Sequence, residues 1–477
     1  MKKRIWAGLL TFTMVATSLA ACGGTQTPSD TTAATTAAPT TAAPKATEAA
    51  TEAPETEAES TEGKVLNIYC WNDEFQGRYE DYFATPGLLP DGITVNFIIT
   101  PNENNAYQNA LDEALLNQDS AAQDDKVDMF LIEADYALKY VNSEYSLDVK
   151  GDVGLTDADL SQQYQYTKDI VTDSSGVQKG TTWQATPGLF AYRRSIAKAV
   201  LGTDDPTEVQ NALSDWDKFD AVAEQAAGKG YKMLSGYDDS YRTFSNNVAA
   251  PWVDGTKIVI DDNLMKWVDQ TKDYTDKGYN NKTSLWAPEW ASDQGPEGKV
   301  FGFFYSTWGI NFTLLGNSLE IPEADGGKAE VGNGCFGDWA VCEGPQNYFW
   351  GGTWLCAAAG TDNIETINSI MKTLTCDQAT MKKITEDTQD YTNNQAAMNE
   401  LANSDFKSDF LGGQNHIALF AEAAPNIDMS NCSPYDQGLN ESFQGAMADY
   451  FNGVVDKETA LETFYTSALE KYPELTK

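Results

Sequence analysis

Lys64-Val-Leu-Asn-Ile-Tyr-Cys70, Ile93-Thr-Val-Asn-Phe-Ile-Ile99 and Val127-Asp-Met-Phe-Leu-Ile132 decide how this chain reads. Each is a short run of strand length, rich in β-branched and aromatic residues. Between them lie two stretches of helical period. Residues 73–84 carry Phe75, Tyr79, Tyr82 and Phe83 at helix spacing behind a good N-cap, and Ala106, Ala110, Leu111, Ala114 and Leu115 form a second apolar stripe. A third helix begins at Tyr136. Strands and helices alternating through short connections predict a parallel sheet covered by helices.

Further along, Thr181-Thr-Trp183-Gln-Ala-Thr-Pro187-Gly-Leu-Phe-Ala-Tyr192-Arg193 is extended and broken by Pro-Gly. The proline lacks a backbone donor and fixes its own φ, so the segment reads as a strand crossing from one lobe to another. Residues 200–228 are helix-rich, with Trp216 and Phe219 facing inward, and residues 263–277 form another helix around Trp267. Strand patterns return at residues 299–305, 336–342 and 353–359, with short ones at 232–234 and 257–260. From residue 364 the pattern is almost all helical. The fold class expected is α/β, two lobes joined by a hinge with an interlobe cleft. Residues 64–184 and 321–390 are assigned to lobe 1, and residues 185–320 and 391–477 to lobe 2.

The N-terminus reads as a targeting segment. Lys2, Lys3 and Arg4 precede an apolar run, residues 5–18, too short to span a bilayer comfortably. Leu19-Ala20-Ala21-Cys22 resembles the lipobox of bacterial lipoproteins. The resemblance implies a signal peptide over residues 1–21 and a diacylglyceryl thioether on Cys22, a lipid anchor on the extracytoplasmic face of the cell membrane. Residues 23–63 are almost entirely Thr, Ala, Pro, Glu and Ser, without an aromatic residue or Val, Ile, Leu or Met. Such a stretch cannot bury enough apolar surface to order itself. Residues 22–63 read as an anchored tether with a reach of about 35 Å or more; a glycosylated stalk is the other reading of its threonines.

The net charge is −39. That excludes nucleic acid and an electrostatic hold on anionic lipid, and it disfavours large anionic ligands. Its plain reading is a solvated surface; its sharper one is a cation site. Six cysteines follow Cys22, none in a C-x-x-C pair, so zinc is not expected. Cys70 and Cys356 lie in apolar runs as buried thiols, and Cys335 and Cys342 are close enough in sequence to pair across a loop. The single histidine, His416, reads as a surface or capping residue. No metal, cofactor or catalytic motif is present, although a glycosidase needs only two carboxylates.

The lipobox, the tether and a first strand ending in Trp71 resemble family 1 extracellular solute-binding proteins of bacterial ABC sugar importers, the maltose-binding-protein-like group. Thr182-Trp183-Gln-Ala-Thr-Pro-Gly-Leu-Phe-Ala-Tyr-Arg-Arg is similar to the family's first hinge crossing. Phe304-Tyr-Ser-Thr-Trp308-Gly resembles its segment carrying a sugar-stacking aromatic. Ala340-Val-Cys-Glu-Gly-Pro345 with Gly351-Gly-Thr-Trp-Leu-Cys-Ala resembles its return through the first lobe, with Cys342-Glu343 where an aliphatic residue is usual. Tyr450-Phe-Asn-Gly-Val-Val-Asp-Lys-Glu-Thr-Ala-Leu resembles its closing helix pair. The resemblance implies a binding protein, not an enzyme, that captures a carbohydrate between two lobes and delivers it to permease subunits.

A sugar site needs flat apolar platforms for ring faces and polar groups for hydroxyls. Ligands of open α/β sheets bind at strand ends. Trp308 and Trp71 close strands and lead as platforms. Asn72 and Asp73 follow Trp71, one of them a possible helix cap. Asp135 follows the third strand, as hydroxyl acceptor or N-cap. Trp183 lies at the crossing. Asp238, Asp239, Tyr241 and Arg242 form a polar-aromatic cluster. Trp350 and Trp354 flank Gly351-Gly352, where a ring could approach the backbone. Tyr435 and Asp436 precede a helix, which Asp436 could simply cap. The number of tryptophans near strand ends favours a neutral oligosaccharide over a monosaccharide. The alternatives are a polyamine or cation receptor, which needs carboxylates converging in the cleft, and a surface glycosidase or lectin.

Overall fold

A computed structural model describes residues 63–477. The readings for residues 1–62, including the signal peptide, Cys22 and nearly all of the tether, lie outside the described residues. The strands in chain order are β1 (Val65–Cys70), β2 (Thr94–Ile99), β3 (Met129–Glu133), β4 (Thr181–Thr182), β5 (Gly188–Arg193), β6 (Val253–Asp254), β7 (Lys257–Ile258), β8 (Gly302–Ser306), β9 (Trp339–Cys342) and β10 (Thr353–Ala357).

Five of them form a first sheet in the order β2-β1-β3-β10-β4. β1 runs parallel to β2 and β3, as the alternating pattern predicted, while β10 runs antiparallel to β3 and β4. Strand side chains alternate between faces, and the cores follow. Met129 and Leu131 face one side with Leu66, Ile68 and Leu355, under Phe75, Phe83, Ile367, Ile370 and Leu374 of the covering helices. Phe130 and Ile132 face the other side with Cys356, Tyr107, Leu111 and Tyr140.

The second sheet has the order β8-β5-β9 and is wholly antiparallel. Phe190, Tyr192 and Phe304 pack on one face against Phe219, Val222 and Ala226 of the helix Trp216–Gly228. That helix starts where Asp215 accepts the Lys218 amide, which satisfies an orphan donor. The C-terminal helices Asp436–Phe451 and Lys457–Lys471 zip together through Leu439, Phe443, Met447, Ala460 and Phe464, against Trp252 and Trp267.

The chain leaves the first sheet after β4 and enters the second at β5, across Trp183 to Pro187. Three sequence expectations are corrected here. β9 pairs with β5, so the return to the first sheet comes with β10 and not at residue 321. Residues 232–234 form no strand, because Lys232 makes only an isolated bridge to Val300. The helix over residues 73–84 is α-helical over Glu74–Tyr79 and continues as a π-turn over Glu80–Ala84.

His416 is fully buried at the first turn of the helix His416–Ala423 and is no surface residue. Its Nε2 faces the Gln389 carbonyl at 3.0 Å, and burial holds its pKa down at about 4. Cys335 and Cys342 do not pair: all six cysteines among the described residues are free. No helix among the described residues is long and apolar enough to cross a membrane.

Candidate functional site

The ends of β1, β3 and β8 and the start of β10 converge on one cavity of about 380 Å³. That lies within the roughly 300–1,000 Å³ of small-molecule sites. Trp71 and Asn72 enter from the end of β1, Glu133 and Asp135 from the end of β3, and Trp308 from just past β8. Trp350, Gly351 and Gly352 precede β10 on the same wall.

Three indoles form the aromatic wall. Trp308 and Trp286 stack at 6.2 Å between centroids, and Trp350 meets Trp308 edge to face at 5.4 Å and lies tilted against Trp286 at 5.9 Å. The Trp308 indole N–H donates to the Trp350 carbonyl at 3.0 Å, which fixes its plane. Glycine is required beside it. Gly351 has φ +69°, and a Cβ there would lie 3.2 Å from Trp308 Nε1; a Cβ on Gly352 would lie 2.9 Å from the Trp354 ring. Trp71 stands apart, edge to face on Tyr107 and Tyr136.

The polar wall is acidic. Arg242 donates to both carboxylate oxygens of Asp135, at 2.6 and 2.5 Å, which ties the segment after β3 to the helix Tyr241–Ser245. The nearby carboxylates Asp135 and Glu133 hold the guanidinium firmly charged. Burial, with the adjacent Asp135 charge, pushes Glu133 up to about 8. Burial pushes Glu74 up to about 7, although Arg78 and an amide from Gln184 pull it down. Asn440 closes the far side, its carbonyl oxygen accepting from Tyr241 and from the Trp252 indole. No group of three or more His, Cys, Asp or Glu among the described residues could hold a metal ion.

Of the residues singled out in the sequence, Trp308, Trp71, Asn72, Asp135, Arg242 and Trp350 line this cavity. The others do not. Trp183 is buried in the first core, stacked on Phe75 at 5.4 Å; its neighbour Gln184 faces the cavity instead. Trp354 is buried within β10, with its N–H on the Thr167 carbonyl at 2.7 Å. Asp73 is exposed and takes no capping hydrogen bond. Asp239 is buried, accepting from the Ser235 and Gly236 amides and the Trp290 indole, so its role is to fix a turn. Asp238 accepts from Leu285 N at 3.2 Å. Asp238, Asp239 and Tyr241 line a smaller space of about 70 Å³, on which Arg242 and Trp350 also border. Asp436 lines a void of about 30 Å³, room for a single water. Tyr435 packs on Tyr472 at 5.1 Å beside a separate groove.

Sequence reading missed Trp286, Phe312, Glu74, Glu133, Gln184, Gln437, Asn440, Glu441 and Gln444, all at the cavity wall. Glu133 ends β3 itself, so the strand-end rule that found Asp135 points equally to it. Trp286 carries a further signal: its φ is +67°, a left-handed conformation rare for a bulky residue, and it is 48% exposed.

A family profile described as bacterial extracellular solute-binding protein matches residues 89–410. This chain belongs to that family. Solved structures share the solute-binding fold at low identity. One is an extracellular solute-binding protein of family 1, with TM-score 0.66 and 16% identity over 85% of this chain and 99% of that one. Another is the ABC transporter-associated binding protein from B. animalis subsp. lactis in complex with beta-1,6-galactobiose (TM-score 0.63, 16% identity, 87% and 99% covered). A third is the galacto-N-biose-/lacto-N-biose I-binding protein from Bifidobacterium longum in complex with lacto-N-biose (TM-score 0.62, 14% identity, 87% and 100% covered). No curated protein matches this solute-binding protein by sequence.

Proposed function

We propose that this solute-binding protein captures a carbohydrate, an oligosaccharide rather than a monosaccharide, in the tryptophan-walled cavity and hands it to the permease of an ABC transporter. The observation that carries the reading is the set of Trp286, Trp308 and Trp350 facing a wall of carboxylate and amide groups. Indole faces cover the C–H faces of pyranose rings, and Glu133, Gln184, Asn72 and Gln444 offer acceptors and donors for hydroxyls. Four tryptophans at the wall give more platform than one ring uses. The sugars held by the B. animalis and B. longum proteins, both disaccharides, support a glycan ligand.

Capture proceeds by closure of the two lobes about the crossing between β4 and β5, with the Asp135–Arg242 pair joining them. The protein works at the outer face of the cell membrane, tethered by lipid on Cys22. Because four tryptophans line the cavity, intrinsic fluorescence reports binding directly. Titration with a glycan panel is expected to give saturable one-to-one binding, with the glycan recovered intact by chromatography. Cleavage products would replace the reading with a glycosidase, and silence across the panel would remove carbohydrate from it. For the anchor, Cys22→Ala is expected to release the protein from membranes under a salt wash; retention would contradict lipidation.

A further inference from the structure

The cavity wall holds four carboxylates, Glu74, Glu133, Asp135 and Glu441, against one guanidinium, Arg242. Three of them are in close ion pairs. Asp135 holds Arg242 in both arms at 2.6 and 2.5 Å. Glu441 pairs with Lys471 at 3.2 Å, and Glu74 faces Arg78 at 3.7 Å while accepting from Gln184 at 2.9 Å. Glu133 is the exception. Its Oε2 accepts the Asp135 backbone N–H at 2.9 Å, and its Oε1 has neither a hydrogen bond nor an ion pair among the described residues. That oxygen lies at the root of the indole wall, 3.6 Å from the place a Cβ on Gly351 would occupy, where Trp308 Nε1 lies 3.2 Å away.

Arg242 offsets the burial of Glu133 only in part, so a cation at the free oxygen would favour its ionised form. Indole faces attract the same charge, since their quadrupole presents a negative face to a cation, and ammonium groups are held in this way by aromatic cages. Trp286, Trp308 and Trp350 pack on one another, with centroids 5.4 to 6.2 Å apart, into one indole wall beside Glu133. Trp286 is held there in a left-handed backbone conformation, a cost of the kind found at ligand clamps.

Accepting the carbohydrate reading above, we infer that the ligand carries a protonated amine, as an unacetylated amino sugar does, with its ammonium between Glu133 Oε1 and the cavity side of the indole wall. The platforms then serve both the ring and its charge, and Glu133 Oε1, which accepts no hydrogen bond among the described residues, receives the ammonium. The upward push on the Glu133 carboxyl by burial fits a group whose ionised state waits for a cation.

The test is calorimetric titration of the wild-type protein and Glu133→Gln with three matched sets of oligosaccharide: free-amine, N-acetylated and hydroxyl-bearing, together with spermidine. In the variant the amide oxygen can still accept the Asp135 N–H, so the fold is retained and melting confirms it. The wild type is expected to prefer a free-amine glycan at least tenfold over its N-acetylated and neutral partners, and Glu133→Gln is expected to collapse that ratio to near unity. A tightest ligand that is neutral or N-acetylated overturns the inference and leaves the carbohydrate reading standing. A preference that survives in Glu133→Gln also overturns it. Binding of spermidine with no glycan keeps the cation site and overturns the carbohydrate reading; no binding anywhere overturns both.

Discussion

Replacing Trp286 by glycine and, separately, by alanine isolates what its ring does from what its backbone costs. The residue is 48% exposed. An indole side chain offers up to about 250 Å², so about half, ~120 Å², is already buried against its neighbours. At ~25 cal/mol/Å², losing it costs the empty protein about 3 kcal/mol in the alanine variant. The glycine variant also relieves the left-handed φ of +67°, which is worth about 1 kcal/mol, so it should be the more stable of the two. The exposed half is what a ligand can cover. A sugar or ammonium on one face removes roughly 60 Å², about 1.5 kcal/mol, or about tenfold in affinity. Thermal melting of the unliganded variants and calorimetric affinity for the tightest glycan separate the two effects. Unchanged affinity in both variants would refute the placement of Trp286 at the ligand, and an alanine variant as stable as the glycine one would refute the strain argument.

Other expectations follow from the same geometry. Trp183→Ala empties the first core beneath Phe75 and should cost about 3–5 kcal/mol in unfolding while leaving the affinity of the folded fraction unaltered; an affinity loss without a melting shift would return Trp183 to the site. Asp135→Asn strips Arg242 of its ionic partner; it should lose about 2 kcal/mol and, by small-angle scattering, show a larger radius of gyration without ligand. An unaltered radius would separate the pair from lobe closure. His416 is buried and neutral, with its pKa lowered to about 4 from the ordinary 6.5. Its contribution is therefore full above pH 6.5 and is lost as pH falls towards 4, by about 3 kcal/mol. Glu74 and Asp436, raised to about 7, act in the opposite sense, favouring the folded state as pH falls. Urea unfolding of wild type and His416→Gln should thus give a stability difference that shrinks by about 3 kcal/mol between pH 7 and 4; a constant difference would contradict the burial argument.

The strands and helices were legible because each is a local pattern: β1, β2 and β3 are runs that only a covered sheet accommodates, and the helical pattern expected after residue 364 ends in the helix Lys457–Lys471. The part of the site lying at strand ends was legible for the same reason, and Trp71, Asp135 and Trp308 follow from it. Parity was not. Trp183 and Gln184 are adjacent in an extended segment and point opposite ways, and only the pairing of β4 with β10 decides which one meets the core. Trp354 and Trp350 straddle the same two glycines, yet only Trp350 lies outside β10 and reaches the cavity while its other side packs on the core. Trp286, Gln437 and Asn440 reach the cavity from a loop and a helix far away in the chain, a juxtaposition that no local pattern encodes. The interval between residues 321 and 353 went to the wrong sheet because β9 reads as a strand without revealing its partner.

The central claim is that a glycan lies between the two sheets against the indole wall. The most direct measurement is a crystal structure of the protein saturated with its tightest ligand. Sugar rings are expected within about 4 Å of the faces of Trp308 and Trp286, with a ligand nitrogen at hydrogen-bond distance from Glu133 Oε1. A ligand seated elsewhere, or in this cavity with both indoles bare, would contradict it.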